Sequence, residues 1–137
     1  MIGDNEISTV AKKFDVGWEN DKEHTDYSYS GGRNIYLGRY KDPELRLVSF
    51  FHELGHVLIP QDFREKWDFN KLILEIECWS IGLEIARQEG ILFSDSALKW
   101  GYGQALTYAG WEERELIPEA WEKRRIKLWI SLNRLDL

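Results

Sequence analysis

The sequence predicts an α+β domain in which four or five helices pack around a functional centre, with a small antiparallel β-sheet on one side. Two changes of period and one pair of helix boundaries carry that expectation. Apolar residues recur at helical spacing in residues 4–14, 43–59 and 70–90, whereas the stretch from Asp15 to Tyr40 is rich in β-formers and is broken by Gly31-Gly32. Asp42-Pro43 and Pro60 mark the ends of the second helical stretch independently of its periodicity. With 137 residues, 43% of them apolar, and with 7 Trp, 6 Tyr and 6 Phe, the chain can bury a core without disulfides or repeats, and a single domain over 1–137 is expected.

The elements follow in order. Ile7, Val10, Ala11 and Phe14 share one face of a first helix, with Asp4 or Asn5 available as its cap. Val16, Trp18, Tyr27, Tyr29, Ile35, Tyr36 and Leu37 then favour strands, so a hairpin pairs roughly 25–30 with 33–38 around the glycines and leaves room for a further strand at 15–19. Asp42 caps the next helix, Pro43 suits its first position and Glu44 complements its macrodipole. Pro60 stops it. Residues 60–69 read as a polar connection that returns Phe63, Trp67 and Phe69 to the core. From Asn70 to Gly90 the sequence is apolar on almost every side, which marks a buried central helix. Ser94-Asp95 caps a helix through about Tyr108, and Pro118 opens another whose basic run, Lys123-Arg124-Arg125, reads as a solvated face. Trp79, Trp100, Trp111, Trp121 and Trp129 read as core.

Charge and cysteine content exclude several classes of function. Eighteen basic against 24 acidic side chains leave a net charge of -6, which offers no attractive field to a polyphosphate, so nucleic acid is not the expected partner. No apolar run approaches the roughly 20 residues needed to span a bilayer, and no membrane partner is expected. A lone cysteine, Cys78, forms neither an internal disulfide nor a multi-thiolate metal cluster and reads as a small buried thiol. Together with a first segment that lacks a signal-peptide core, this suggests a reducing, cytoplasmic setting.

The chemistry is concentrated in His52-Glu53-Leu54-Gly55-His56, an H-E-x-x-H inside a well-bounded helix. Residues at i and i+4 stand one turn apart on one face, so both imidazoles can reach a single Zn²⁺. Glu53 projects about 100° round the helix from His52, where it can act as general base toward a water that the metal acidifies. Gly55 costs the helix about 1 kcal/mol relative to Ala, which suggests that another element or a substrate approaches closely there.

A catalytic zinc needs a third protein ligand, and the position six residues beyond His56 is Asp62 rather than His. His24 lies in a polar stretch and reads as a loop histidine. The remaining ligand is therefore expected to be a carboxylate from 70–90. Glu77 has Ile73, Leu74 and Ile81 at one-turn spacing, where an unpaired charge is costly, and this ranks it first. Glu75, one turn after Lys71, is the reserve, and Glu84 beside Arg87 and Gln88 reads as solvated.

A helix bearing HELGH, preceded by YSGGRNIYLG and followed by Glu77-Cys78-Trp79-Ser80-Ile81-Gly82, resembles the ImmA/IrrE group of small gluzincin-type zinc metallopeptidases over about residues 25 to 90. The resemblance implies a minimal zincin-like domain, with His52, His56 and Glu77 as zinc ligands and Glu53 as catalytic base. It also implies a protein or peptide substrate, repressor-type regulators of phage and mobile elements among them. The group's second helix commonly reads E-A-N-x-F-A, from which Cys78, Trp79, Ile81 and Gly82 depart. In gluzincin-like folds an edge strand beside the metal helix pairs with the substrate, and Asn34-Ile35-Tyr36-Leu37 is the strand to which this role is assigned. Tyr36, Arg39, Tyr102 and Tyr108 are alternative donors to a transition-state oxyanion. The competing reading is a zinc-binding regulatory or interaction domain without turnover. Glu53 speaks for catalysis, because structural zinc has no use for a base beside its ligands.

Overall fold

The computed structural model describes residues 3–25, 27–68 and 71–106. Among them the chain runs through helix α1 (Asp4–Lys13), strands β1 (Gly17–Asn20), β2 (Tyr29–Gly31) and β3 (Asn34–Leu37), then helices α2 (Pro43–Leu58), α3 (Gln61–Trp67), α4 (Lys71–Gln88) and α5 (Asp95–Leu106). This is an α+β arrangement of five helices and one three-stranded sheet. The helix expected from Pro118, with Trp111, Trp121, Trp129 and the basic run, lies outside the described residues. None of the described helices is long and apolar enough to cross a membrane.

The hairpin forms as expected but with shorter strands, β2 pairing antiparallel with β3 around Gly32 at φ +59°. The sheet as a whole is not antiparallel. β1 pairs parallel with β3, giving the order β1-β3-β2. β2 lies on the far side of β3 from β1, and β3 returns alongside β1 in the same direction. Alternation of polar and apolar residues reports the face of a strand and is silent on its direction. Ile35 and Leu37 point into the core, while Asn34 and Tyr36 stand on the solvent side.

α2 begins as its sequence dictates, the Asp42 carboxylate accepting from the Glu44 N–H at 2.8 Å with Pro43 in the first position. α1 starts without a side-chain cap, Gly3 occupying the N-cap position in place of Asp4 or Asn5. The segment after Pro60 is a helix rather than a connection: α3 is seven residues long and buries none of them, so it leaves no apolar period to read. Its Arg64 donates to the His56 carbonyl at 2.5 Å and satisfies one of the unpaired acceptors at the end of α2.

Two features fix α2. The first is Arg46, only 1% exposed, which donates to Asp4 Oδ1 and Asn20 Oδ1 at 2.6 Å each and lies 5.7 Å from the Trp18 ring, so that α1, β1 and α2 share one buried cation. The second is α4, which crosses α2 antiparallel with almost no side-chain spacer. A Cβ on Gly55 would stand 1.9 Å from the Cys78 carbonyl oxygen, and one on Gly82 would stand 1.9 Å from the Phe51 carbonyl oxygen. The core lies between α1, the inner face of the sheet and this helix pair, with Ile7, Ile35, Leu37, Phe50, Phe51 and Leu54 fully buried.

Gly82→Ala should therefore destabilise the fold by about 1–3 kcal/mol in urea unfolding, the clash with backbone outweighing a helix-propensity gain of about 1 kcal/mol. Gly103→Ala, also within a helix but with nothing within 4 Å of its added Cβ, should not destabilise it.

Candidate metal centre

His52 and His56 lie on the face of α2 turned toward α4, and the carboxylate that meets them there is Glu75. His52 Nε2 is 2.8 Å from Glu75 Oε1, His56 Nε2 is 2.7 Å from Glu75 Oε2, and the two Nε2 atoms are 3.1 Å apart. Donors placed tetrahedrally at about 2.0–2.1 Å from one ion stand roughly 3.3 Å from each other, so the imidazoles and the carboxylate need to open by about 0.2–0.6 Å to take it. This group of two imidazole nitrogens and a carboxylate oxygen could hold a metal ion.

Glu77, ranked first from sequence, is not part of the group. On a helix it projects about 200° from Glu75, away from the line of approach to α2. Its apolar neighbours misled because α4 is apolar on nearly every side, so they do not distinguish one face from another. The residues that do are Glu75, Cys78, Trp79 and Gly82, at i, i+3, i+4 and i+7. Glu84 behaves as expected, pairing with Arg87 at the surface. His24 stands apart, its Nδ1 2.5 Å from Asp21 Oδ2.

Sequence reasoning took Cys78 and Trp79 as core, and both are buried; it missed that both also touch the ligands. The Trp79 ring stacks on His52, centroids 4.2 Å apart at 8°. Cys78 Sγ is 3.4 Å from His56 Nδ1, and burial pushes its thiol up, so it meets the ring as a neutral partner. A ring nitrogen engaged behind the ligand fixes which nitrogen faces the centre, a task usually done by a carboxylate or a carbonyl.

The electrostatics follow from burial. Burial alone would raise the Glu75 carboxyl, but its hydrogen bonds to His52 and His56 reverse this and hold it down from 4.5 to about 2. Burial likewise opposes a charge on His56, and its contacts with Cys78 and Glu75 outweigh that, pushing it up from 6.5 to about 11. A buried carboxylate demands a cation. In the metal-free chain a proton on the imidazole supplies it.

Glu53 is 6% exposed, with Oε2 3.3 Å from His52 Nδ1. Burial raises its carboxyl above the ordinary range, and the neighbouring histidines and a hydrogen bond with Ser30 of β2 only partly oppose the shift. These groups open into a cleft of about 280 Å³ walled by Tyr27, Tyr29, Tyr40, Trp79 and Trp100. Tyr36 and Arg39 do not line the cleft; Tyr108 and the Tyr102 side chain lie outside what is described.

The assignment of Asn34-Ile35-Tyr36-Leu37 as an exposed edge does not hold. β3 is the central strand, paired with β1 on one side and β2 on the other, so its backbone groups are already engaged. The strand that borders the cleft at the sheet's edge is β2, whose Tyr29 and Ser30, with Tyr27 and Ser28 before them, form the rim.

Comparison with protein-family models, with curated proteins and with solved structures finds no match.

The geometry separates the two glutamates in an experiment. Glu75→Gln should abolish stoichiometric zinc binding in calorimetry, and Glu77→Gln should leave it intact. Because His56 must shed its proton to become a ligand, zinc affinity should rise about tenfold per pH unit between pH 6 and 8, with close to one proton released per ion bound.

Proposed function

We propose that the chain is a zinc-dependent peptidase, with His52, His56 and Glu75 holding the metal and Glu53 acting as general base. The observation that carries this reading is the position of Glu53, a buried carboxylate of raised affinity for protons beside the ligand His52 and at the wall of an open cleft. Zinc suits the donor set of two imidazoles and one carboxylate, which leaves a coordination position for chemistry. When bound there, it supplies Lewis acidity, lowering the pKa of a water and polarising a carbonyl.

The chain's own groups do the rest. Glu53 takes the proton from the attacking water and returns it to the departing amine, a task favoured by an affinity tuned toward neutrality. Ser30 holds this carboxylate from the strand side, and Trp79 and Cys78 keep the imidazoles from turning. Among the described residues β2 is an edge strand, and that edge offers main-chain hydrogen bonds to an extended peptide, which would draw the scissile bond across the cleft. The likeness to the ImmA/IrrE group supports the same chemistry and suggests a regulatory, repressor-type protein as substrate, with Glu75 taking the place that the resemblance implies for Glu77.

Metal analysis by mass spectrometry of the wild type, His56→Ala and Glu53→Gln tests this, alongside hydrolysis of a quenched-fluorescence peptide library. One zinc per chain is expected in the wild type and in Glu53→Gln and none in His56→Ala, with hydrolysis reduced about 10²–10⁴-fold in Glu53→Gln. Zinc retained in both variants sinks the metal assignment. Zinc bound without hydrolysis moves the reading to a regulatory zinc-binding domain.

A further inference from the structure

The solvent face of the sheet carries a feature that the metal centre does not use. In the register of the sheet Glu19, Tyr36 and Tyr29 are direct neighbours across β1, β3 and β2, so the three side chains stand in a row on one face. The rings of Tyr29 and Tyr36 stack at 4.8 Å and 19°, and Tyr27 continues the stack onto Tyr29 at 6.1 Å and 24°. His24 packs against both Tyr27 and Tyr29 while bonded to Asp21. The ladder is not core. Tyr27 is 55% and Tyr29 39% exposed, and both also line the cleft.

Stacked rings of this kind are preorganised, with little rotamer freedom left to lose on binding; the stack covers the faces of Tyr29, so the accessible ring surface is greatest at Tyr27, at the end of the ladder. Acidic side chains flank them. Partial desolvation and the negative charges of Asp21, Glu23 and Glu19 push the Tyr29 phenol up, so these carboxylates lie within electrostatic reach of the ladder. Glu19 and Glu23 are exposed at its margin. The cations nearest in sequence are Lys22 and Arg39, both exposed, and Arg33, which is turned away to the Phe14 and Asp15 carbonyls. The exposed Tyr27 ring with a carboxylate margin beside it fits a guanidinium or ammonium group.

We propose that this face binds a Lys/Arg-bearing extended segment of the protein substrate, flanking the bond presented to the cleft. The inference rests on the peptidase reading for what happens next, but the contact itself is independent of turnover. Tyr27 and Tyr29 belong to both surfaces, so a chain lying along the β2 rim passes over the ladder as it leaves the cleft. Selectivity would come from the flank of the substrate, with the scissile residues read separately by the cleft.

Fluorescence anisotropy on the Glu53→Gln protein, with a labelled decapeptide alternating Arg and Ala and a second with Gln in place of Arg, tests the proposal without cleavage. The Arg peptide should bind about tenfold more tightly, a few-fold from the exposed end of the ladder together with the acidic margin. That preference should fall to near unity in a Tyr27→Leu/Tyr29→Leu variant and shrink several-fold in Glu19→Gln/Glu23→Gln, whose exposed side chains the fold does not need. Equal binding of the two peptides, or a preference that survives both variants, overturns the proposal. So does a many-fold gain in Arg-peptide affinity on replacing Lys123, Arg124 and Arg125 by Gln, which would make the chain's own basic run the occupant. Hydrolysis of neutral library peptides by the wild type reports on the peptidase reading separately.

Discussion

Everything at the metal centre depends on how closely two backbones pass. α2 and α4 meet through Gly55 and Gly82, each lying against a carbonyl of the other helix with no room for a methyl group. At a usual interhelical distance of about 8–10 Å a glutamate on α4 would have to stretch toward the imidazoles. At this crossing Glu75 reaches both Nε2 atoms within 2.8 Å, Trp79 lies flat on His52, and Cys78 backs His56. Gly55 weakens the isolated helix, and the packing it permits is what assembles the donor set.

The same burial that shapes the centre also decides its charge state. Three groups that each prefer water are partly or wholly withdrawn from it, and each answers another: the carboxylate of Glu75 keeps a proton on His56, and that proton stabilises the carboxylate. A divalent ion bound here would replace the proton with a stronger charge at the same point. Glu53 faces the same two histidines and Glu75, and burial keeps its proton affinity raised against them.

Much of this was legible in the sequence. The H-E-x-x-H helix, its Asp42 cap and its stop at Pro60 are local signals, fixed by dihedral preferences and hydrogen bonds within a few residues. The hairpin around Gly31-Gly32 was legible for the same reason. What the sequence hid depends on partners far along the chain. Glu75 and Glu77 differ in which face of an all-apolar helix they occupy, and only the stripe of Cys78 and Gly82 following Glu75 points toward α2. β3 carries the most strand-like residues because it is the most buried strand, and that is why it could not also be the free edge. α3, too short to show a period and without a buried face, was indistinguishable from a loop.

Arg46 couples the candidate metal centre to the start of the chain. Its partners, Asp4 and Asn20, lie 42 and 26 residues earlier, while the pairing of His52 and His56 with Glu75 falls within one helical hairpin. Removing either partner leaves a buried guanidinium short of an acceptor on the helix that carries both imidazoles. The stiffness of the donor set is thus set in part by α1 and β1, elements that contribute no ligand to it.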